Sequence, residues 1–204
     1  PDRATCERIC DLLRPHLKGK TTHLEREKKK LPGASQQQVA FRVLIGTILS
    51  HRTRDEKTEI ATDALLKGFP TPKKMAGAPI AKIIQLIKPV GFYNSKAQYV
   101  KKCSRELMEK FGGEVPRTME QLTSLTGVGR KTAGCVIAYA FGLPAIPVDS
   151  HCHTISNRLA LVKTKTPEET EQALQKIVPR KRWAEVNELL VLHGQNTCAP
   201  ISPF

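Results

Sequence analysis

The sequence predicts an all-α protein, and three features of its pattern support this fold class. Apolar residues recur at intervals of three and four along most of the chain, the spacing of a helix with one buried face. No stretch alternates cleanly between apolar and polar residues with turn signals at its ends, as a half-buried strand would. Proline and glycine interrupt the apolar pattern at short intervals, so we expect short helices joined by short turns.

The helices follow from this pattern in chain order. Apolar spacing marks the helices that contain Val39 to Leu49, Ile80 to Ile87 and Val100 to Phe111, and Pro or Gly turns such as Phe69-Pro-Thr-Pro separate them. We predict helices near residues 4–16, 35–50, 55–68, 79–87, 94–111, 118–125, 130–141, 150–161, 168–178 and 181–195. Short helices with short connections favour a compact bundle over a solenoid.

Charge and composition narrow the function. The 204 residues include 33 Lys and Arg against 19 Asp and Glu, a formal net charge of +14 that is spread along the chain. Such a charge indicates a polyanionic partner, because neutralising phosphates releases counterions. The longest apolar run, 39–49, is interrupted by Arg42 and is too short to span a membrane. The basic run 26–30 is either a solvated linker or an arm that contacts phosphate.

The segment from Leu122 to Ala133 carries the most informative pattern. A short helix meets the turn Gly127-Val128-Gly129, and a second helix begins at once with Arg130. Glycines permit positive φ and remove side-chain bulk, so successive N–H groups can bind a phosphate at the helix N-terminus. We therefore predict that residues 127–130 bind the DNA backbone. By itself, the triplet also fits an ordinary tight turn between helices.

Four motifs in chain order resemble the endonuclease III family of DNA glycosylases, within the helix–hairpin–helix superfamily that has a Gly/Pro-rich loop and an essential Asp. They are Gly91-Phe-Tyr-Asn-Ser-Lys-Ala97, Leu125-Thr-Gly-Val-Gly-Arg-Lys-Thr-Ala133, Val148-Asp-Ser-His151 and Leu189-Leu-Val-Leu-His-Gly-Gln-Asn-Thr-Cys198. The match extends from about residue 35 to the end. It implies two helical lobes flanking a DNA-binding cleft: a six-helix barrel over 33–143, with the helix–hairpin–helix motif at about 118–141, and a second lobe of 1–32 plus 144–204.

The resemblance also implies two catalytic residues. Lys131 is the expected nucleophile, which attacks C1′ of the damaged nucleotide, expels the base and forms a Schiff base that drives β-elimination of the 3′ phosphate. Asp149 follows eighteen residues later, the separation of the family's Lys/Asp pair, and is the expected catalytic carboxylate facing Lys131 across the junction of the lobes. The residues alone also fit a phosphate-contacting lysine and an Asp N-cap before Ser150, and the cap and the catalytic role are compatible.

Two further positions match loops that open the duplex. A glycosylase takes its base out of the stack, and a side chain must fill the gap. Phe92 lies where the family carries an apolar wedge, although an isolated loop Phe can also be partly buried core. Arg52 stands where the family commonly has Gln. Because Arg can fill a gap and donate hydrogen bonds to the opposite base, the departure bears on base-pair preference.

The cysteines and histidines give a mixed prediction about metals. The family commonly binds a [4Fe–4S] cluster through cysteines spaced C-x6-C-x2-C-x5-C, and Cys198 matches the first; the second position would be 205, past Phe204. We expect the cluster to be possible in the intact protein, although one ligand alone cannot hold it. His151 and His153 do not share a helical face, which disfavours zinc. A monovalent cation bound by hairpin carbonyls is possible, as in relatives.

The other cysteines point to packing and to a reducing compartment. Six cysteines scattered over the chain do not form the dense framework of a secreted protein. Cys6 and Cys10 share a face of an amphipathic helix, and Cys103 and Cys135 fall on apolar stripes, so we predict that these four are core. With no signal-peptide pattern at the N-terminus, we expect an intracellular protein, in the cytoplasm or nucleoid of a prokaryote or in the nucleus or mitochondrion of a eukaryote.

The function implied by the resemblance is base excision repair. We expect a monomeric DNA glycosylase and abasic-site lyase that acts on duplex DNA containing oxidised or ring-fragmented pyrimidines or abasic sites, without a membrane partner. One rival is a mismatch-directed glycosylase of the same superfamily, whose members usually lack a lysine at the 131 position. Another is a non-catalytic DNA-binding module, which the charge and the glycine turn would explain but the Lys131/Asp149 pair would not.

Overall fold

The computed structural model describes residues 3–22, 26 and 32–198, and within these ranges the chain is helical without a strand. The predicted all-α class is therefore confirmed. The α-helices are α1 (Arg3–His16), α2 (Gln36–Ser50), α3 (Asp55–Gly68), α4 (Pro72–Gly77), α5 (Ile80–Ile87), α6 (Tyr93–Phe111), α7 (Met119–Thr123), α8 (Arg130–Cys135), α9 (Ser150–Arg158), α10 (Pro167–Ile177) and α11 (Trp183–Asn196). Except for Arg26, the basic run 26–30 lies outside the described residues.

The chain divides into two compact units, His23–Phe141 and Pro1–Thr22 with Gly142–Phe204. In the first unit, α2 is the central helix, and all of its residues from Ala40 to Leu49 are buried. It packs against α3, α6 and α8. Arg42 lies within this buried stretch and forms an ion pair with Asp63 of α3, which supplies the compensating charge that a buried guanidinium needs.

The second unit is built around α9 and α11, which pack closely against each other. Gly194 of α11 makes this approach possible, because a Cβ there would lie 3.0 Å from Nδ1 of His151 and 3.2 Å from Cγ1 of Ile155 in α9. The core includes Cys6 and Cys10 of α1, together with Cys152 of α9. Close packing on Gly194 therefore sets the position of α9, and α9 begins beside Asp149.

The four cysteines predicted to be core, Cys6, Cys10, Cys103 and Cys135, are confirmed as buried. Across the described residues, none of the helices combines the length and apolar character needed to cross a membrane. These observations fit the sequence pattern without adding a functional role for those cysteines.

The structure differs from the predicted helices in three places. The turn expected after Phe69 contains α4, since Thr71 caps it by accepting a hydrogen bond from the Lys74 N–H and Pro72 occupies its first turn. The helix predicted over 130–141 changes at Val136–Ala140 to a π-helix. The helix predicted to reach 161 ends at Arg158, because Ala160 adopts a left-handed conformation with φ 52°.

Candidate active site and nucleic-acid interface

A hairpin formed by α7, the turn 124–129 and α8 carries the predicted lysine. At Gly127 φ is +79°, and a Cβ would lie 2.9 Å from Cβ of Tyr99 on α6, so both the backbone and the space require glycine. Glu106, also on α6, accepts hydrogen bonds from the N–H and hydroxyl of Thr126 at 2.6 and 2.9 Å. Helix α6 thus fixes the turn from two sides.

The tip of the hairpin presents backbone rather than side chains. Gly129 is the N-cap of α8, has no side-chain cap and is exposed, as is Arg130. The first N–H groups of a helix lack intrahelical acceptors, so they can bind an anion. The Val128 side chain is buried, and its N–H donates to the Leu125 carbonyl at 3.1 Å, while its contact with the DNA backbone stays a prediction. Its role in the structure is to close the turn.

Lys131 lies in the first turn of α8 and is half-buried. Among the described residues its amine has no hydrogen-bond or ion-pair partner. The neighbouring residue, Thr132, is fully buried, and its hydroxyl lies 3.3 Å from Nε2 of His51 at the end of α2. The Lys131 amine is therefore available to a ligand.

His51 is a neighbour of this amine that the sequence reasoning left without a role. Partial burial of the ring lowers its pKa, and the positive charges of Lys131 and Lys96 lower it further. At neutral pH the imidazole is accordingly uncharged, so it adds no second cation beside Lys131. Only the structure shows this proximity, because His51 and Lys131 are eighty residues apart in the chain.

Asp149 is the N-cap of α9, which confirms the predicted cap. Its backbone is extended, and Oδ1 accepts a hydrogen bond from the Cys152 N–H at 2.8 Å. The carboxylate is half-buried, and its charge is favourable at a helix N-terminus. Among the described residues, Oδ2 receives no hydrogen bond. One oxygen is thus committed to the helix, and the other remains available.

Arg52 and Phe92 lie in two adjacent segments, residues 50–54 and 91–92, which we call the paired loops. Both residues adopt left-handed backbone conformations, with φ 50° and 55°, and both side chains are exposed, Phe92 by 64%. The loops touch where the Gly91 N–H donates to Oγ1 of Thr53 at 3.1 Å. The structure therefore brings the two predicted gap-filling residues onto one local scaffold.

A buried lysine lies beneath the paired loops, and sequence reasoning gave it no role. Lys96 is 4% exposed, and its amine donates to the carbonyls of Leu49 and His51, both at 2.6 Å, and to Oγ1 of Thr53 at 2.9 Å. Burial lowers the pKa of Lys96 to about 8, so the ammonium form predominates at neutral pH. Its position on the apolar stripe of α6 was the available sequence signal, since Val100, Cys103 and Leu107 continue the same face.

The described residues do not fit an iron–sulfur cluster. Cys198 is half-buried, and the guanidinium of Arg158 donates to its Sγ at 3.2 Å. The other five cysteines are buried, in α1, α6, α8 and α9. Within the ranges that the structure describes, no group of three or more His, Cys, Asp and Glu residues could hold a metal ion. The cluster and the monovalent cation at the hairpin both stay predictions.

His151 and His153, which follow Asp149, contact other helices of the fold. Nδ1 of His153 lies 2.7 Å from Oγ1 of Thr170 on α10. Cys152 between them is fully buried, and burial raises the pKa of its thiol far above the usual range. His151 packs on Gly194. These contacts with α10 and α11 therefore hold α9 in place.

Comparison with known proteins identifies the family of the chain. Residues 45–180 match the model of the HhH-GPD superfamily of base excision DNA repair proteins. Endonuclease III of Thermotoga maritima is 47% identical over 176 residues, covering 86% of this chain and 83% of that protein. A non-covalent endonuclease III–DNA complex aligns with a TM-score of 0.87 at 29% identity, covering 100% of this chain and 90% of that one. A trapped covalent endonuclease III–DNA intermediate aligns with a TM-score of 0.78 at 34% identity, and the alignment covers 88% of this chain and 86% of that one.

The fold and the hairpin thus define a helix–hairpin–helix protein of base excision DNA repair, and the chain belongs to the HhH-GPD superfamily. Within that superfamily it is a member of the endonuclease III family. The protein is accordingly a DNA glycosylase with abasic-site lyase activity, and its partner is duplex DNA.

Proposed function

We propose that Lys131 is the nucleophile of both reactions and that Asp149 is the carboxylate that assists it. The observation that carries the proposal is the Lys131 amine, which has no partner among the described residues and stands at the first turn of α8 beside an exposed glycine backbone. Lys96, by contrast, serves the fold and donates three hydrogen bonds. An amine without a partner beside a phosphate-binding turn can reach the sugar that the turn holds.

The chemistry follows from these groups. The Lys131 nitrogen forms a bond to C1′ of the damaged nucleotide, and the base leaves with the electron pair of the glycosidic bond. Opening of the sugar ring then gives a Schiff base between Lys131 and C1′. Loss of a proton from C2′ allows β-elimination, which breaks the bond to the 3′ phosphate. Asp149, with Oδ2 available, stabilises the positive charge that develops on the sugar and assists proton transfer at the Lys131 nitrogen.

The remaining predicted residues have positions that suit DNA binding. We propose that Gly129 and Arg130 bind the backbone phosphate through their N–H groups and the Arg130 charge. Phe92 fills the gap left by the extruded nucleotide, and Arg52 contacts the opposite base, both from the paired loops. Oxidised or ring-fragmented pyrimidines are the proposed base lesions, together with abasic sites, in the DNA of whichever compartment the protein occupies.

Borohydride trapping tests the proposal directly. Reduction of the Schiff base on a duplex with an abasic site or thymine glycol should give a covalent protein–DNA adduct, and Lys131→Gln should abolish it. Lys110→Gln is the matched control, because it removes the same charge from an exposed position on α6. An adduct that persists in Lys131→Gln would assign the nucleophile to another group, and the lack of one with the intact protein would favour a monofunctional or non-catalytic relative.

A further inference from the structure

We infer that Lys96 is a positioning residue, which holds the paired loops in register so that Arg52 and Phe92 enter the duplex as one unit. This inference rests on the proposed gap-filling function of Arg52 and Phe92. It assigns no chemical step to Lys96, whose amine is buried beneath the loops.

The hydrogen bonds of Lys96 bind three points of one loop. Its amine donates to the carbonyls of Leu49 and His51 and to the hydroxyl of Thr53. An ammonium has three protons, and all three find an acceptor here. The loop between these acceptors contains Arg52, so its backbone is fixed on both sides of that residue.

The charge of Lys96 also suits the end of α2. The last carbonyls of a helix lack intrahelical donors and carry partial negative charge. Leu49 and His51 are such carbonyls at the end of α2, while the Ser50 carbonyl receives the Thr53 N–H at 3.1 Å. A neutral apolar residue at 96 would remove the lysine donor from the Leu49 carbonyl and would leave the His51 carbonyl with only the 3.3 Å bond from the Thr53 hydroxyl, which is costly in a buried site.

Thr53 transmits this constraint to the second loop. Its hydroxyl donates to the His51 carbonyl at 3.3 Å and accepts from both Lys96 and the Gly91 N–H. The approach of the loops is close, because a Cβ on Gly91 would lie 3.1 Å from the Arg52 carbonyl oxygen. The residue after Gly91 is Phe92, so a shift of one loop changes the position of both exposed side chains.

Backbone strain points to the same place. Arg52, Phe92 and Ala160 are the non-glycine residues with positive φ within the described ranges. Two of these three lie in the paired loops. A non-glycine residue in the left-handed region is strained and persists where the surrounding structure imposes it. Lys96 and Thr53 supply the contacts that impose it here.

The experiment compares two substrates that need the loops to different degrees. Excision of thymine glycol requires extrusion of a stacked nucleotide, whereas strand cleavage at a preformed abasic site does not require removal of a base. Single-turnover rates are measured on both duplexes, with A or G opposite the lesion. Lys96→Met should slow excision by about 10- to 100-fold, the range that a misplacement of roughly 1 Å produces. Cleavage at the abasic site should change much less, and preference for the opposite base should decrease.

The controls separate positioning from a general loss of folding. Lys101→Met is the matched variant, since Lys101 is on the same helix and donates to the Ala78 carbonyl at 2.6 Å, away from the paired loops. It should leave the ratio of the two rates unchanged. Thr53→Val removes the shared hydroxyl without removing a charge and should change the ratio in the same direction as Lys96→Met, while Thr53→Ser should restore it.

Each outcome has a defined consequence. An unchanged rate ratio in both Lys96→Met and Thr53→Val overturns the inference, and Thr53→Val alone decides the matter if Lys96→Met does not fold. Arg52→Ala and Phe92→Ala test the proposed function itself. If they change the ratio while Lys96→Met and Thr53→Val do not, the loops act as proposed but Lys96 does not position them. If they leave it unchanged, the proposed gap-filling role fails, whatever the Lys96 variant does.

Discussion

The hairpin contains a lysine in the first turn of a helix, and a second lysine lies beneath the paired loops in the first turn of another helix, but the two have opposite surroundings. Lys131 is the second residue of α8, is half-buried and has no partner among the described residues. Lys96 is the fourth residue of α6, is buried and donates three hydrogen bonds. The helix dipole disfavours a cation at both places. Bonded acceptors compensate Lys96, whereas a bound phosphate or sugar is needed to engage Lys131.

The largest expected effect comes from replacing Lys131 by Arg. Arginine keeps the positive charge but cannot be deprotonated, so it cannot form a Schiff base. We expect loss of adduct and of strand cleavage by at least about a thousandfold, the scale on which loss of a nucleophile acts. Quantitative cleavage assays on an abasic duplex check this. If the Lys131→Arg variant retained activity, Lys131 would be a phosphate contact and not the nucleophile. The lack of a partner for its amine would then not mark a catalytic lysine.

The salt dependence of binding gives the control for the same variant. Each phosphate contact contributes about −0.9 to the slope of log K against log salt concentration. Lys131→Arg should keep the slope of the wild-type protein. A slope reduced by about one in Lys131→Gln would indicate an additional phosphate contact at this position.

Replacement of Asp149 should have the next largest effect on the rate, because its carboxylate is the group proposed to assist proton transfer. Unlike the two lysines, it also carries a charge that is favourable at a helix N-terminus. Asp149→Ser keeps a good N-cap but removes the carboxylate, whereas Asp149→Ala removes both. We expect both to lower the rate by about 10²- to 10⁴-fold, as for the loss of a group that assists proton transfer. Only Asp149→Ala should also lose about 1 kcal/mol of unfolding free energy.

Single-turnover kinetics and urea unfolding of the two Asp149 variants provide the measurements. Full activity in Asp149→Ser would assign this residue to the cap alone. Gly194→Ala offers an independent approach, because its Cβ would displace α9 at His151, 3.0 Å away. That substitution should lower activity while the Asp149 carboxylate is still present.

A smaller effect is expected from substitution of the two hairpin glycines, Gly127 and Gly129. These variants test whether the turn holds the Lys131 amine in place. Gly127→Ala introduces a side chain at φ +79° against Tyr99, and we expect it to cost about 2 kcal/mol of unfolding free energy. Gly129→Ala meets nothing within 4 Å and should change stability by less than about 0.5 kcal/mol. It should instead weaken DNA binding, because the added methyl lies where a phosphate approaches.

Urea unfolding and fluorescence anisotropy separate the two hairpin variants. The expected pattern is loss of stability in Gly127→Ala and loss of affinity in Gly129→Ala. The reverse pattern would mean that the turn does not present its backbone at Gly129.

The sequence could predict the fold class, most helix boundaries and the location of the hairpin, because these depend on local spacing. It could not predict α4, because its N-cap Thr71 and first residue Pro72 belong to the segment Phe69-Pro-Thr-Pro, which was interpreted as a turn. Nor could it predict the acceptors of Lys96, since the carbonyls of Leu49 and His51 lie more than forty residues away from it along the chain. The roles of Lys131, Asp149, Arg52 and Phe92 stay predictions until they are measured.

The effect that is smallest at neutral pH, and that grows only above pH 8, is a pH dependence of stability that distinguishes Lys96 from a surface lysine. Its pKa is about 8 in the folded protein, below the usual value near 10.4. Below pH 8 both states carry the proton, so Lys96 adds no pH dependence. Between pH 8 and about 10.4 the unfolded chain binds more protons, and the unfolding free energy therefore rises with pH, by at most about 1.4 kcal/mol per unit. Groups other than Lys96 titrate in both proteins, so the difference between wild type and Lys96→Met isolates this contribution. Urea unfolding at pH 7, 8, 9 and 10 should show that difference constant up to pH 8 and growing in favour of the wild type above it, and a difference independent of pH would mean that the three acceptors keep the Lys96 pKa at its usual value.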